Sequence, residues 1–162
     1  MKNKYLNEIG IETHKNKVIG AGDAKDSKRF KKQRKKYGFD ARECYNLDYT
    51  FAVWLYSHLK MYLESAGTIV DLSYHTFDIP VLYETDRAEW KETDKTWYEE
   101  KTETHTQKEC IDLCIEYLKD YLISTENLSD DTDENIINEG KGIEKGICSI
   151  KIFAELFPSM WW

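Results

Sequence analysis

The sequence predicts a mainly α fold (α+β): a single domain of three to four amphipathic helices with a small β-hairpin or edge strand. Three observations carry this. Apolar stripes recur at helical spacing behind recognisable caps. One short segment between them is rich in β-branched and aromatic residues and roughly alternates. The 162-residue chain is 41% hydrophobic and 14% aromatic, enough to surround a core and too rich in large apolar groups for a disordered chain, although 33% of its residues are charged.

Taken in order, Met1 to Gly22 has apolar residues without a sustained period. Lys25 to Lys36 (KDSKRFKKQRKK) then packs eight basic residues around one aspartate, so residues 1–36 read as a basic N-terminal arm or an exposed helix. A gap at Tyr37-Gly38 precedes two N-cap candidates, Asp40 and Asn46, whose side chains can accept from orphan amides. Leu47 to Glu64 is the clearest helix: Leu47, Phe51, Trp54, Leu55, His58, Leu59 and Tyr62 recur at spacings of three and four. They are the expected core face, and Gly67 is suited to close the helix.

Beyond Gly67 a short strand or hairpin is expected over Ser73 to Tyr83, with Pro80 placing it at an edge. Residues 84–105 form a charged excursion with eight acids and four bases, punctuated by Trp90 and Trp97. Thr106-Gln107-Lys108-Glu109 is a capping box that opens a helix with the face Ile111, Cys114, Ile115, Leu118, Leu122. Residues 124–135 (STENLSDDTDEN) read as an acidic linker. The last helix, Ile136 to Phe157, shows Ile143, Ile147, Ile150, Phe153, Ala154 and Phe157 on one face; Pro158 stops it before Trp161-Trp162. Residues 37–162 are thus expected to form one helical domain carrying the excursion and the linker.

Charge is split along the chain. Met1 to Glu43 holds 13 Lys/Arg against 6 Asp/Glu, and Cys44 to Trp162 holds 10 against 24, giving +7 and −14 and the net −7. Such asymmetry bears on partners rather than fold. The N-terminal stretch has no apolar h-region, and the longest apolar run, Phe51 to Tyr56, is far short of the ~20 residues that span a bilayer. A non-exported protein without a membrane partner is expected. Its four cysteines, Cys44, Cys110, Cys114 and Cys148, are then expected as reduced thiols. Cys110 and Cys114 are spaced to hold two metal ligands, with His58, His75 or His105 as others, but no CxxC or HxxxH pair supports a site. They read as small core hydrophobes, with no metal and no cofactor.

Other motifs weaken on inspection. Val18-Ile19-Gly20-Ala21-Gly22 opens like a dinucleotide fingerprint, but Lys25 stands where its third glycine belongs, so a flexible turn is expected. Asp131, Asp133 and Asn135 have the spacing of calcium ligands, but Ile136 replaces the turn glycine and Gly142 the bidentate glutamate. His58 or His75 near Asp48 or Asp78 could do acid–base work, although a buried, hydrogen-bonded histidine is the simpler reading. No Ser-His-Asp or Cys-His order with a local signature is present. The expectation is a binding protein, not an enzyme.

Two surfaces then compete. In the excursion, Trp90 and Trp97 stand among Glu89, Glu92, Asp94, Glu99 and Glu100 with no core periodicity to account for them, as aromatic anchors rimmed by charge do. The rival reading folds both indoles back onto the domain. On the basic segment, Lys28, Arg29, Lys31, Lys32, Arg34, Lys35 and Lys36, with Phe30 and Tyr37 beside them, suit phosphate contact and stacking.

Tyr37 to Glu64 (YGFDARECYNLDYTFAVWLYSHLKMYLE) resembles a family of small bacteriophage and prophage proteins of unassigned function. In that family a basic stretch runs into G-F-[DS], then W/Y-N/S-L-D, then a helix of the form T-I/F-A…L…L-K. The closing helix from Lys145 is similar too, its L/I-F-A-x-x-F-x-x-L/M-W pattern matched by Ile152-Phe153-Ala154-Glu155-Leu156-Phe157-Pro158-Ser159-Met160-Trp161. The likeness covers both ends and about half the chain, leaving the 84–103 region unmatched. It brings no catalytic residues. It implies a small phage protein in the cytoplasm of a bacterial host; the acidic surface and the Trp-bearing excursion 84–103 then point to a host protein as partner, a defence enzyme that it inhibits, and the basic segment 25–36 to nucleic acid as the alternative.

Overall fold

A computed structural model describes residues 3–11, 24–66, 69–126 and 132–160. The fold is mainly α with one small β-hairpin. In chain order it runs α1 (Lys4–Glu8), α2 (Ala24–Tyr37), α3 (Ala41–Tyr45), α4 (Leu47–Ala66), β1 (Thr76–Glu84), β2 (Tyr98–Thr106), α5 (Gln107–Glu126), α6 (Asp133–Leu156) and a 3-10 turn, Phe157–Ser159, containing Pro158. Among the described residues four helices are long and two are of five residues. The Val18–Gly22 turn, Gly67, Asp131 of the calcium-like spacing and Trp161-Trp162 lie outside the described residues. The chain divides into two compact units, Met1–Ser57 and His58–Trp162.

The first unit is organised by short polar caps. Asn3 caps α1, accepting from the amides of Tyr5 and Leu6, and its side-chain amide donates to Ser57 Oγ of α4 at 2.8 Å. This helix was not legible in the sequence, being one turn long. α2 ends at Gly38, whose φ of +84° lets its amide reach Arg34 C=O at 3.0 Å. A Cβ there would meet open space, so Gly38→Ala is expected to cost only the left-handed backbone strain, about 1 kcal/mol in a urea titration.

Asp40 is the hub between α2 and α3. As the N-cap of α3 it forms a capping box with Glu43. Its buried carboxylate receives Arg42 Nε at 2.9 Å and Nη2 at 2.8 Å, and Arg34 Nη2 at 3.0 Å. Arg42 also lies over the Phe30 ring, 4.5 Å from its centroid. The Arg42 guanidinium first, then Arg34, hold the Asp40 carboxyl well below the usual carboxylate range, against the opposing effect of burial. A depressed folded pKa means stability present above the unfolded value of ~3.9 and lost as pH falls below it. Asp40→Asn is therefore expected to cost about 2 kcal/mol at neutral pH, less than a fully buried pair because Arg34 is half exposed. The gap to the parent should close on titration to acid.

The predicted core stripe of α4 is corrected in part. Leu55 and Leu59 are buried, together with Ala52, Tyr56 and Ala66, but Leu47, Phe51 and Trp54 are exposed. Phe51 and Trp54 stack on each other at 5.9 Å. His58, expected on the core side, is exposed, as is His75.

In the second unit α5 and α6 run antiparallel: Tyr121 meets Gly146, Ser124 meets Gly142, and Cys114 Sγ donates to Ser149 C=O at 3.3 Å. The Thr106–Glu109 capping box forms as expected, Glu109 Oε2 accepting the Thr106 amide at 2.8 Å. The next orphan amides of α5, at Gln107 and Lys108, donate to His75 and Leu72 C=O. The α6 face is a correction: Ile143, Ile147, Ile150 and Phe157 are exposed, and Gly142, Gly146, Ser149, Ile152 and Leu156 are buried. The excursion is corrected as well. Its second half is β2, paired antiparallel with β1 from Thr76↔Thr106 to Glu84↔Tyr98.

Candidate functional site

Between the strands runs a loop from Thr85 to Trp97, ordered by its own polar groups. The Arg87 guanidinium sits at its centre, donating to the carbonyls of Lys95 at 2.6 Å and Trp90 at 2.9 Å. Glu92 accepts the Ala88 amide at 3.0 Å, which with the Glu89 amide holds its carboxyl below the usual range. Thr85 closes the base: its amide donates to Trp97 C=O at 3.0 Å and its hydroxyl to Thr96 C=O at 2.7 Å.

The hairpin is then fastened along α6. Glu144 accepts the amides of Trp97 at 2.9 Å and Tyr98 at 3.0 Å. Lys141 pairs with Glu84 at 3.1 Å, Lys151 with Glu100 at 2.5 Å, and Trp90 Nε1 donates to Asp133 at 2.9 Å. Trp97 is 4% exposed, with Arg87 over its ring at 3.9 Å and its indole against Gly140. Expected among the surface anchors, it instead folds back onto the domain; Trp90 is half-buried.

The remaining expected contact residues stay at the surface. Glu89, Asp94, Glu99 and Glu100 are exposed and Glu92 is half-buried. Tyr83 Oη donates to Glu103 across the strands, which pushes the tyrosine up and the glutamate down. The two strand edges differ. In an antiparallel pair, opposed residues either bond each other or both point away. Leu82 N–H donates outward to Tyr117 Oη at 3.0 Å, and Pro80 C=O accepts outward from Cys148 Sγ at 3.5 Å, so helices cover the β1 edge. The register partners of Leu82 and Pro80, Glu100 and Thr102, therefore direct their backbone groups to the β2 edge. Among the described residues no strand covers that edge, and Glu99 to Thr102 are exposed on both faces. Sequence reasoning missed this strand and its supports, Arg87 and Glu144; alternate threonines at 102, 104 and 106 were the available signal.

A cleft of about 330 Å³ opens beside the hairpin, lined by Tyr98, Asp120, Ser124, Asn135, Asn138, Lys141 and Lys145 among others. At its wall Lys145 pairs with Asp120 at 2.5 Å and lies 5.5 Å from the Tyr98 ring centroid. Burial opposes the lysine's charge, but the Asp120 hydrogen bond and charge outweigh it and push the pKa up. Lys145 stays an ammonium ion and offers no amine nucleophile. Burial likewise pushes Cys110 up to about 11, and Cys114 and Cys148 up to about 12, so these thiols pack as small hydrophobes.

On α2, the expected phosphate contacts Lys28, Arg29, Lys31, Lys32, Arg34, Lys35 and Lys36 are all exposed. Arg34 is committed to Asp40 and Glu43. No helix among the described residues is long and apolar enough to cross a membrane. Comparison with protein-family models, curated proteins and solved structures finds no match.

Proposed function

We propose that this chain is a phage-encoded, non-enzymatic binding protein that acts in the cytoplasm of a bacterial host, inhibiting a host defence system through protein–protein contact. The observation that carries this reading is the β2 edge: no strand among the described residues covers it, Glu99 to Thr102 are exposed on both faces, Glu99, Glu100 and the half-buried Glu103 stud it, and α6 fastens its scaffold in place. Edge strands with such charge resist pairing with a second copy of themselves. The same charge favours a basic extended segment of another protein, which would gain main-chain hydrogen bonds and ion pairs together. The resemblance at Tyr37 to Glu64 supplies the phage origin.

Affinity capture from the bacterial host, with mass spectrometry of what co-purifies, tests the reading. Thr102→Pro deletes an N–H that points away from β1, so it should leave stability nearly intact while abolishing capture; Glu99→Lys should weaken capture. A partner retained fully by both variants would refute contact through this edge. A second reading, a nucleic-acid-associated phage protein working through residues 25–36, is favoured by the exposed lysines of α2.

A further inference from the structure

The outer face of α6 repeats apolar residues at alternating steps of four and three: Ile143, Ile147, Ile150, Ala154 and the C-cap Phe157. All five are exposed, Ile147 at 55% and Phe157 at 64%. Their spacing averages 3.5 residues, the period with which one helix packs along another. The other sides of the helix are occupied. Gly142 and Gly146 lie against Ser124 and Tyr121 of α5, and the hairpin holds the flank at Glu144, Cys148 and Lys151. What remains is a seam about 20 Å long at 1.5 Å per residue. No charged side chain interrupts it, and it leaves open roughly 400 Å² of apolar surface, a patch of the size that is often functional.

The seam is complementary to itself. Run antiparallel about a two-fold axis between Ile147 and Ile150, it sets Ile147 against Ile150 of a second copy, Ile143 against its Ala154 and Phe157 against its Gly140. Bulk is thereby shared out, since the larger side chains meet an alanine and a glycine away from the axis. Along the bordering row, Glu144 of each copy faces Lys151 of the other. A parallel pairing does the reverse: it stacks Phe157 on Phe157, leaves Ala154 on Ala154, and sets Glu139 against Glu144. A lipid surface calls for a border of lysine and arginine, which Glu139 and Glu144 do not provide. We propose that two copies of this chain associate antiparallel through this face of α6. With its bordering residues the contact buries roughly 1,000 Å² in total, at the low end for specific complexes, so the dimer is reversible and set by concentration. It leaves the β2 edge free and stands independently of the reading above.

The test is sedimentation equilibrium of the full chain from about 1 μM to 1 mM. The mass should rise from that of one chain to twice that value and stop there, because a closed two-fold contact uses up the seam. Ile147→Glu with Ile150→Glu should hold the chain monomeric throughout. At the dilute end, where the seam is open, the urea midpoint of this variant should match the parent's, since both side chains are exposed. Ile147→Leu with Ile150→Leu, which keeps the seam apolar, should dimerise within about tenfold of the parent. Orientation is read by cross-linking in a Cys44→Ser background, which removes the exposed thiol. Oxidising a mixture of Ile143→Cys and Ala154→Cys chains should yield the mixed disulfide dimer. Phe157→Cys alone should yield none, because the antiparallel register holds the two Phe157 positions about 25 Å apart. A parent that stays monomeric to the highest concentration, a mass that grows past two chains, or a glutamate variant that dimerises like the parent overturns the proposal. Efficient self-cross-linking at Phe157→Cys overturns it as well, by showing a parallel pair.

Discussion

Trp97→Ala is expected to lower the stability of the His58–Trp162 unit by about 4 kcal/mol, within the range for truncating a buried aromatic. The indole is nearly inaccessible and meets Arg87 on its face and Gly140 at its Nε1 side. Removing it leaves a void beneath the loop and strands the Arg87 guanidinium without its ring. A unit of this size should then melt at least about 10 °C lower. Trp90→Ala is the internal control: its indole is half-buried and makes one exposed hydrogen bond to Asp133, so about 1 kcal/mol is expected. An interface anchor behaves in the opposite way, losing partner affinity with the urea midpoint unmoved. That outcome at Trp97 would show the indole leaving its place in solution.

The contrast between these two indoles shows where sequence reasoning holds and where it stops. Local signals were legible. Asp40 and the Thr106–Glu109 box act within one helical turn of themselves, and they mark the starts of α3 and α5 as read. The helix expected from Leu47 to Glu64 extends two residues further, to Ala66. β2 was hidden because YEEKTETHT buries only its first residue. A strand without an apolar face has no alternation of hydrophobicity to detect. The environment of Trp97 was hidden for a different reason: Glu144, which takes its amide, is 47 residues away, and no periodicity pairs positions at that separation. The lysine stripe of α2 was legible as composition, but its division of labour was not. Only the fold commits Arg34 to Asp40 and leaves Lys28, Lys31, Lys32 and Lys35 facing solvent.

The sharpest departure concerns α6, and it makes the second large prediction. Hydrophobic periodicity measures bulk, so Ile143, Ile147 and Ile150 read as the inner face. Close helix packing instead selects for small residues, and Gly142 and Gly146 occupy the seam with α5. A Cβ on Gly146 would lie 2.9 Å from Tyr121 Cδ2 and 3.0 Å from its Cγ, and one on Gly142 would lie 1.9 Å from Ser124 Oγ. At Gly142 the Ser124 oxygen can rotate away but its Cβ, 2.7 Å off, cannot, and at Gly146 the Tyr121 ring is buried and has no such freedom. Two effects of opposite sign therefore meet at Gly146. A larger side chain gains about 1 kcal/mol of helix propensity over glycine, but forcing it into a packed seam costs about 1–3 kcal/mol or more. For Gly146→Leu, which adds three carbons beyond the clashing Cβ, the steric cost should prevail, with a net loss of about 2–3 kcal/mol and α6 displaced from α5. Ile147→Ala, on the exposed side, should change stability by no more than about 0.5 kcal/mol. Urea titrations at constant m-value compare the pair directly. If Ile147→Ala proved the more damaging, the isoleucine face would be the buried one and the glycine seam would be refuted.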